Sequence, residues 1–166
     1  MHSEFKKWRR GVPKSRIPYP STRADRVKYA LWRVLDPLHP YARNALAAVG
    51  YMRKYDKYRP AGRQRFVLGA LAQAQTPQTL TEYLLSQGFG NHFVALRDKG
   101  EIISLRRCPD FTHQYHIRIF EDGEVRGHFE YTPECHPFLH DREIGFEARR
   151  EEFLALLGDR IIPLEG

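Results

Sequence analysis

The chain has 166 residues, the length of one ordinary domain, and 42% of them are hydrophobic, so it can bury a core and wholesale disorder is not expected. No stretch approaches the ~20 consecutive apolar residues of a membrane span, and the mean hydropathy is −0.59; no membrane partner is expected. Two cysteines, Cys108 and Cys135, are too few for a disulfide-stapled secreted scaffold, and Met1 to Arg10 is basic with no apolar stretch behind it, unlike a secretory signal. A cytoplasmic or otherwise intracellular location is therefore expected.

The net charge of +7 is unevenly spread. Residues 1–65 carry 17 Lys or Arg against four acids, whereas residues 66–166 carry ten against 16. A basic half joined to an acidic half points to a polyanionic partner, nucleic acid above all. The alternative is that the halves neutralise each other, or that the acidic half meets a protein partner.

Residues 1–20 read as a basic extended arm. Lys6, Lys7, Arg9, Arg10, Lys14 and Arg16 alternate with Phe5, Trp8, Ile17 and Tyr19, and Pro13, Pro18 and Pro20 forbid one continuous helix. The cations suit phosphates; the aromatics suit bases or the arm's own domain. Residues 21–88 read as a helical region. Ser21, Thr22 and Asp25 give a capping-type start, followed by Val27, Leu31, Val34 and Leu35 at helical spacing until Asp36-Pro37. A second helix is expected over Tyr41 to Tyr58, with Arg53, Lys54 and Lys57 flanking a tyrosine stripe as a further phosphate-binding face. A third is suggested by Phe66, Val67, Ala70, Leu71 and Ala74, and a fourth has Thr76 as N-cap, Pro77 at its first position and Gly88 beyond its end.

Residues 89–166 change period. His92 to Arg97 and Glu101 to Arg107 flank Asp98-Lys99-Gly100, and His113 to Phe120 and Glu124 to Tyr131 flank Glu121-Asp122-Gly123: two β-hairpins, then a helix over about Glu147 to Leu157. The expected fold is α+β, an N-terminal helical half followed by a four-stranded antiparallel sheet and a C-terminal helix. A winged helix–turn–helix is the alternative layout, with Asn91, His92 and Arg97 toward DNA and residues 102–119 as the wing.

The second hairpin has a readable register. A three-residue loop with Gly123 left-handed pairs Ile119 with Val125, Ile117 with Gly127 and Tyr115 with Phe129, an apolar face. The other face then sets Arg118 opposite Arg126, His116 opposite His128, and Gln114 opposite Glu130. His116 and His128, with Arg118, Arg126 and Glu130, could cleave a phosphodiester without metal, bind an anion, or simply form a solvated face. Around the base of this hairpin, Cys108-x4-His113 and Cys135-x4-His140 could converge on a structural zinc, with His136 as a substitute ligand; ordinary thiols or a Cys108–Cys135 disulfide are the alternatives.

These features predict a small nucleic-acid-binding protein that engages phosphates with its cationic arm and helical face. A His-pair nuclease or phosphodiesterase, and a structural subunit of a larger assembly, are the rival expectations.

Overall fold

A computed structural model of the chain describes residues 2–38, 41, 67–92, 100–136 and 146–164. Helix α1 (His2–Gly11) and helix α2 (Arg23–Leu35) precede strand β1 (Val67–Leu71) and helix α3 (Pro77–Ser86). Strands β2 (Gly90–Asn91), β3 (Glu101–Arg107), β4 (His113–Phe120) and β5 (Glu124–Tyr131) follow, then helix α4 (Phe146–Leu157), a 3-10 turn and strand β6 (Ile161–Pro163). The architecture is α+β, and its antiparallel sheet has six strands in the order β2-β3-β4-β5-β1-β6.

The β4–β5 hairpin has the expected register. Gly123 adopts φ +87° and donates its N–H to the Phe120 carbonyl, which closes the loop with a residue free of Cβ strain. Ile119 then pairs with Val125, Ile117 with Gly127 and Tyr115 with Phe129, while His116 faces His128 and Arg118 faces Arg126. The apolar side joins Leu68, Leu80, Leu84, Ile103, Leu105 and the α4 residues Phe153 and Leu157 in the core. Tyr83 fastens α3 to α4 by donating its hydroxyl to the Leu156 carbonyl at 2.6 Å.

Several helix ends also follow their local chemistry. Thr22 caps α2 by accepting from the Asp25 N–H, and Thr76 caps α3 by accepting from the Thr79 N–H, with Thr79 bonding back to Thr76. Gly88 and Gly158 lie in the left-handed region just past α3 and α4.

Three expectations change. The sheet has six strands rather than four, because Val67–Leu71, expected in a helix, pairs with β5 on one side and β6 on the other. A five-residue apolar run carries no periodicity that separates a buried strand from a helix, and here two free strand edges decide it. That strand also removes the helix on which the winged helix–turn–helix layout depended. The N-terminal arm begins as helix α1, since its prolines act only from Pro13 onward. Of the helix expected over Tyr41 to Tyr58, residues 42–58 lie outside the described residues, as does most of the 92–97 strand; His92 itself donates its N–H to the Ser104 carbonyl at 3.0 Å.

The arm is also bound to the domain. Phe5 and Trp8 pack against the core, and Val12 is buried within it. Lys14 forms a parallel bridge with Asn91, with Asn91 N–H donating to Pro13 at 2.7 Å and Ser15 N–H donating to Asn91 at 3.0 Å. Gly90 permits this crossing: a Cβ there would stand 2.5 Å from the Ser15 backbone.

Candidate functional site

The polar face of the β4–β5 hairpin is buried. Strand alternation puts Ser104 and Arg106 of β3, Gln114, His116 and Arg118 of β4, and Arg126, His128 and Glu130 of β5 on one side of the sheet. His116 and His128 are only 5% and 8% exposed, Glu130 is 4% exposed, and Gln114 is fully buried. Ser15 from the N-terminal segment reaches this face, accepting from Arg106 Nε at 2.6 Å, and the His92 ring lies edge-on to His116 at 5.1 Å.

At its centre, His116 Nδ1 stands 3.0 Å from His128 Nε2 and 3.2 Å from Glu130 Oε1, while His128 Nε2 stands 3.1 Å from Glu130 Oε2. On its far side, His116 Nε2 is hydrogen-bonded to the Ser104 hydroxyl. Gln114 donates its amide N–H to Glu130 and accepts from Arg106 at 3.0 Å. Arg106 in turn makes a two-pronged pair with Glu134 at 3.0 and 2.7 Å. A run of buried hydrogen bonds therefore extends from Glu134 through Arg106 and Gln114 to Glu130 and the two imidazoles.

Burial, reinforced by the neighbouring His128, pushes the His116 pKa down from 6.5 to about 3, which keeps its imidazole neutral. Burial alone would raise Glu130; the adjacent His128 and the hydrogen bonds from both imidazoles override it and hold the carboxyl well below 4.5. His116, His128 and Glu130 form a group of ligand atoms that could hold a metal ion.

The two expected clusters fare differently. The five residues His116, His128, Arg118, Arg126 and Glu130 do share one face, on which the two histidines and Glu130 are buried and the two arginines half-buried, rather than a solvated one. The arginines are occupied: Arg118 Nη1 is 3.7 Å from Glu101, and Arg126 pairs with Glu124 on its own strand.

The Cys/His set does not converge among the described residues, and His140 lies outside them. Period-two alternation sends His113 to the opposite face from His116; it stacks on Phe129 and Tyr131 and pairs with Asp110 at 3.1 Å. Cys108 and Cys135 are both free thiols, so no disulfide joins them. Cys135 is buried, with its Sγ 3.7 Å from Lys28 Nζ, and desolvation raises the Cys108 pKa from 9.0 to about 11. His136 packs against the Tyr131 ring instead of joining a ligand set.

Ser104, Arg106, Glu134 and Ser15 had not been singled out from the sequence. Ser104 and Arg106 carried a signal, being the polar alternates to Ile103 and Leu105 within the strand. Glu134 and Ser15 carried none, since each arrives from a segment outside the sheet.

The basic N-terminal segment forms a second region. Lys7, Arg10, Lys14, Arg16, Arg23 and Arg33 are exposed, and none makes an ion pair with a described residue. Arg9 instead reaches the Ile102 carbonyl at 3.4 Å. The Lys6 side chain and residues Arg53, Lys54 and Lys57 lie outside the description. Among the described residues, no helix is long and apolar enough to cross a membrane. No protein-family model matches the sequence, and no curated protein or solved structure is significantly similar to it.

Proposed function

We propose that the protein binds nucleic acid, with Lys7, Arg10, Lys14 and Arg16 on phosphates and with Arg23 and Arg33 of α2 extending the same basic region. One observation carries this reading over self-neutralisation. Every ion pair between two described residues joins groups of the same half of the chain: Lys28 with Asp25 in the basic half, and Arg106, Arg118, Arg126, Arg149, Arg150 and Arg160 with carboxylates of the acidic half. The acidic half uses its own arginines, which leaves the N-terminal cations facing solvent for an external polyanion.

Phosphodiester cleavage by the histidine pair draws less support. General acid–base work needs imidazoles within reach of a substrate, whereas His116 and His128 are buried against each other and Glu130. The subunit reading has one observation in its favour: α2 exposes Val27, Leu31 and Val34 at 60%, 59% and 70%.

The test compares the full chain with a Lys7, Arg10, Lys14 and Arg16 to Gln variant, by anisotropy of labelled duplex and single-stranded DNA and RNA across a salt series. Each lost phosphate contact should reduce the log–log salt slope on duplex DNA by about 0.9. Equal slopes for the two proteins would refute the assignment of these cations to phosphate. No binding by the full chain even at low salt would favour a protein partner, with α2 as the surface to examine.

A further inference from the structure

We propose that His116, His128 and Glu130 bind one divalent first-row transition-metal ion, through His116 Nδ1, His128 Nε2 and a Glu130 carboxylate oxygen. The site is separate from the basic segment and does not depend on nucleic-acid binding.

Spacing is the first argument. The three residues come from two adjacent strands, yet their donor atoms approach one another at 3.0, 3.1 and 3.2 Å. Zinc bonds of ~2.0–2.1 Å in tetrahedral arrangement set ligand atoms about 3.3 Å apart. Shifts of a few tenths of an ångström therefore open this cluster around an ion.

Proton counting is the second. His116 Nδ1 and His128 Nε2 carry at most one proton each, and three short contacts must be served. If both rings donate to Glu130, the 3.0 Å nitrogen–nitrogen contact has no hydrogen between its atoms. If one ring is unprotonated on this side, its lone pair faces a carboxylate oxygen. A cation in place of the protons gives all the lone pairs one common partner.

The surroundings are the third. Metal-binding histidines and carboxylates are held in orientation by hydrogen bonds on their outer side. Here Ser104 holds His116 by the opposite ring nitrogen, Nε2, and Gln114 holds Glu130. The Arg106–Glu134 pair neutralises itself behind Gln114, so the arginine does not consume the Glu130 charge.

The donor set decides the class of ion. Two imidazoles with one carboxylate suit zinc or ferrous iron, whereas magnesium and calcium seek all-oxygen shells. Three protein ligands leave one tetrahedral position to be filled by a further small donor.

The experiment titrates metal-stripped full-length protein with Zn²⁺ by calorimetry, with Co²⁺ as an absorbing substitute and Mg²⁺ and Ca²⁺ as controls. One equivalent of Zn²⁺ should bind. Glu130→Gln and His128→Gln should each weaken binding at least 100-fold, and Ser104→Ala should weaken it about 10–100-fold, as for other outer partners. A Cys108→Ser, Cys135→Ser double variant should bind as the unaltered protein does. Circular dichroism checks that each variant folds. Should the centre variants fail to fold, the ¹⁵N resonances of His116 Nδ1 and His128 Nε2 in the unaltered protein provide the readout, and both should move on Zn²⁺ addition. Absence of stoichiometric binding, unmoved imidazole resonances, or a loss of binding confined to the cysteine variant would overturn the proposal.

Discussion

The buried centre and the N-terminal basic segment are both rich in polar groups, but they treat their charges in opposite ways. Around His116 and His128 the charged groups are enclosed: Arg106 is matched by Glu134, and Glu130 lies against two imidazoles and Gln114. Along residues 7–33, Lys7, Arg10, Lys14, Arg16, Arg23 and Arg33 stand in water with few acids near them. Removing two charges from water costs several kcal/mol per ion unless their partners are well placed. A closed face that sets a carboxylate between two imidazoles suits a small, fixed occupant, the ion proposed above. A surface that leaves its cations hydrated is suited to a large polyanion, whose counterions are released on contact.

The largest effect should come from unmatching the centre. Arg106→Leu leaves Glu134 buried without its guanidinium, and loss of one partner from a buried pair costs about 3–5 kcal/mol. Urea unfolding should show that loss, and an Arg106→Leu, Glu134→Leu double variant should recover a good part of it. If Arg106→Leu changed stability by less than ~1 kcal/mol, the matched-charge description of this face would be wrong.

The junction of the two regions is the next place to press. A methyl group at Gly90 would collide with the Ser15 and Lys14 backbone, which no rotamer change relieves. Gly90→Ala should therefore destabilise by about 1–3 kcal/mol, as overpacking does, and should loosen the Ser15 hydroxyl from Arg106. Hydrogen exchange of the Ser15 and Asn91 amides would report this locally; unchanged protection would mean that the strap does not depend on the close approach.

The smallest effect is alkaline. Burial holds the Cys108 thiol neutral, raising its pKa from 9.0 to about 11. A raised acid contributes stability that is fully present below pH 9 and is lost as pH climbs through about 11. Unfolding free energy should thus decline over that window, and the decline should shrink in Cys108→Ser. Thiol-reactive reagents should also label Cys108 slowly at pH 8 in the folded protein.

Much of this organisation was legible in local chemistry. The β4–β5 register followed from one glycine and an alternation that sorted cleanly only one way, and α2, α3 and α4 began or ended where caps and glycines placed them. Strand β1 was not legible, because Val67–Leu71 is apolar without period and its state is set by β5 and β6, which lie far along the chain. The burial of the histidine face was hidden for a related reason. Alternation reveals which residues share a face but not what covers it, and Ser15 lies 91 residues from the arginine it contacts. Glu130 was visible as a neighbour of the histidines. Its fitness as the third ligand proposed above depends on the closure of the face, which alternation does not reveal and which makes acid–base chemistry with a substrate the poorer use of those imidazoles.

X-ray absorption at the zinc edge, on protein loaded with one equivalent of Zn²⁺, is the most direct test of the centre. The account predicts a shell of nitrogen and oxygen at ~2.0–2.1 Å, with the imidazole outer-shell scattering of two histidines. A sulfur scatterer at ~2.3 Å would contradict it and return the metal to Cys108 and Cys135.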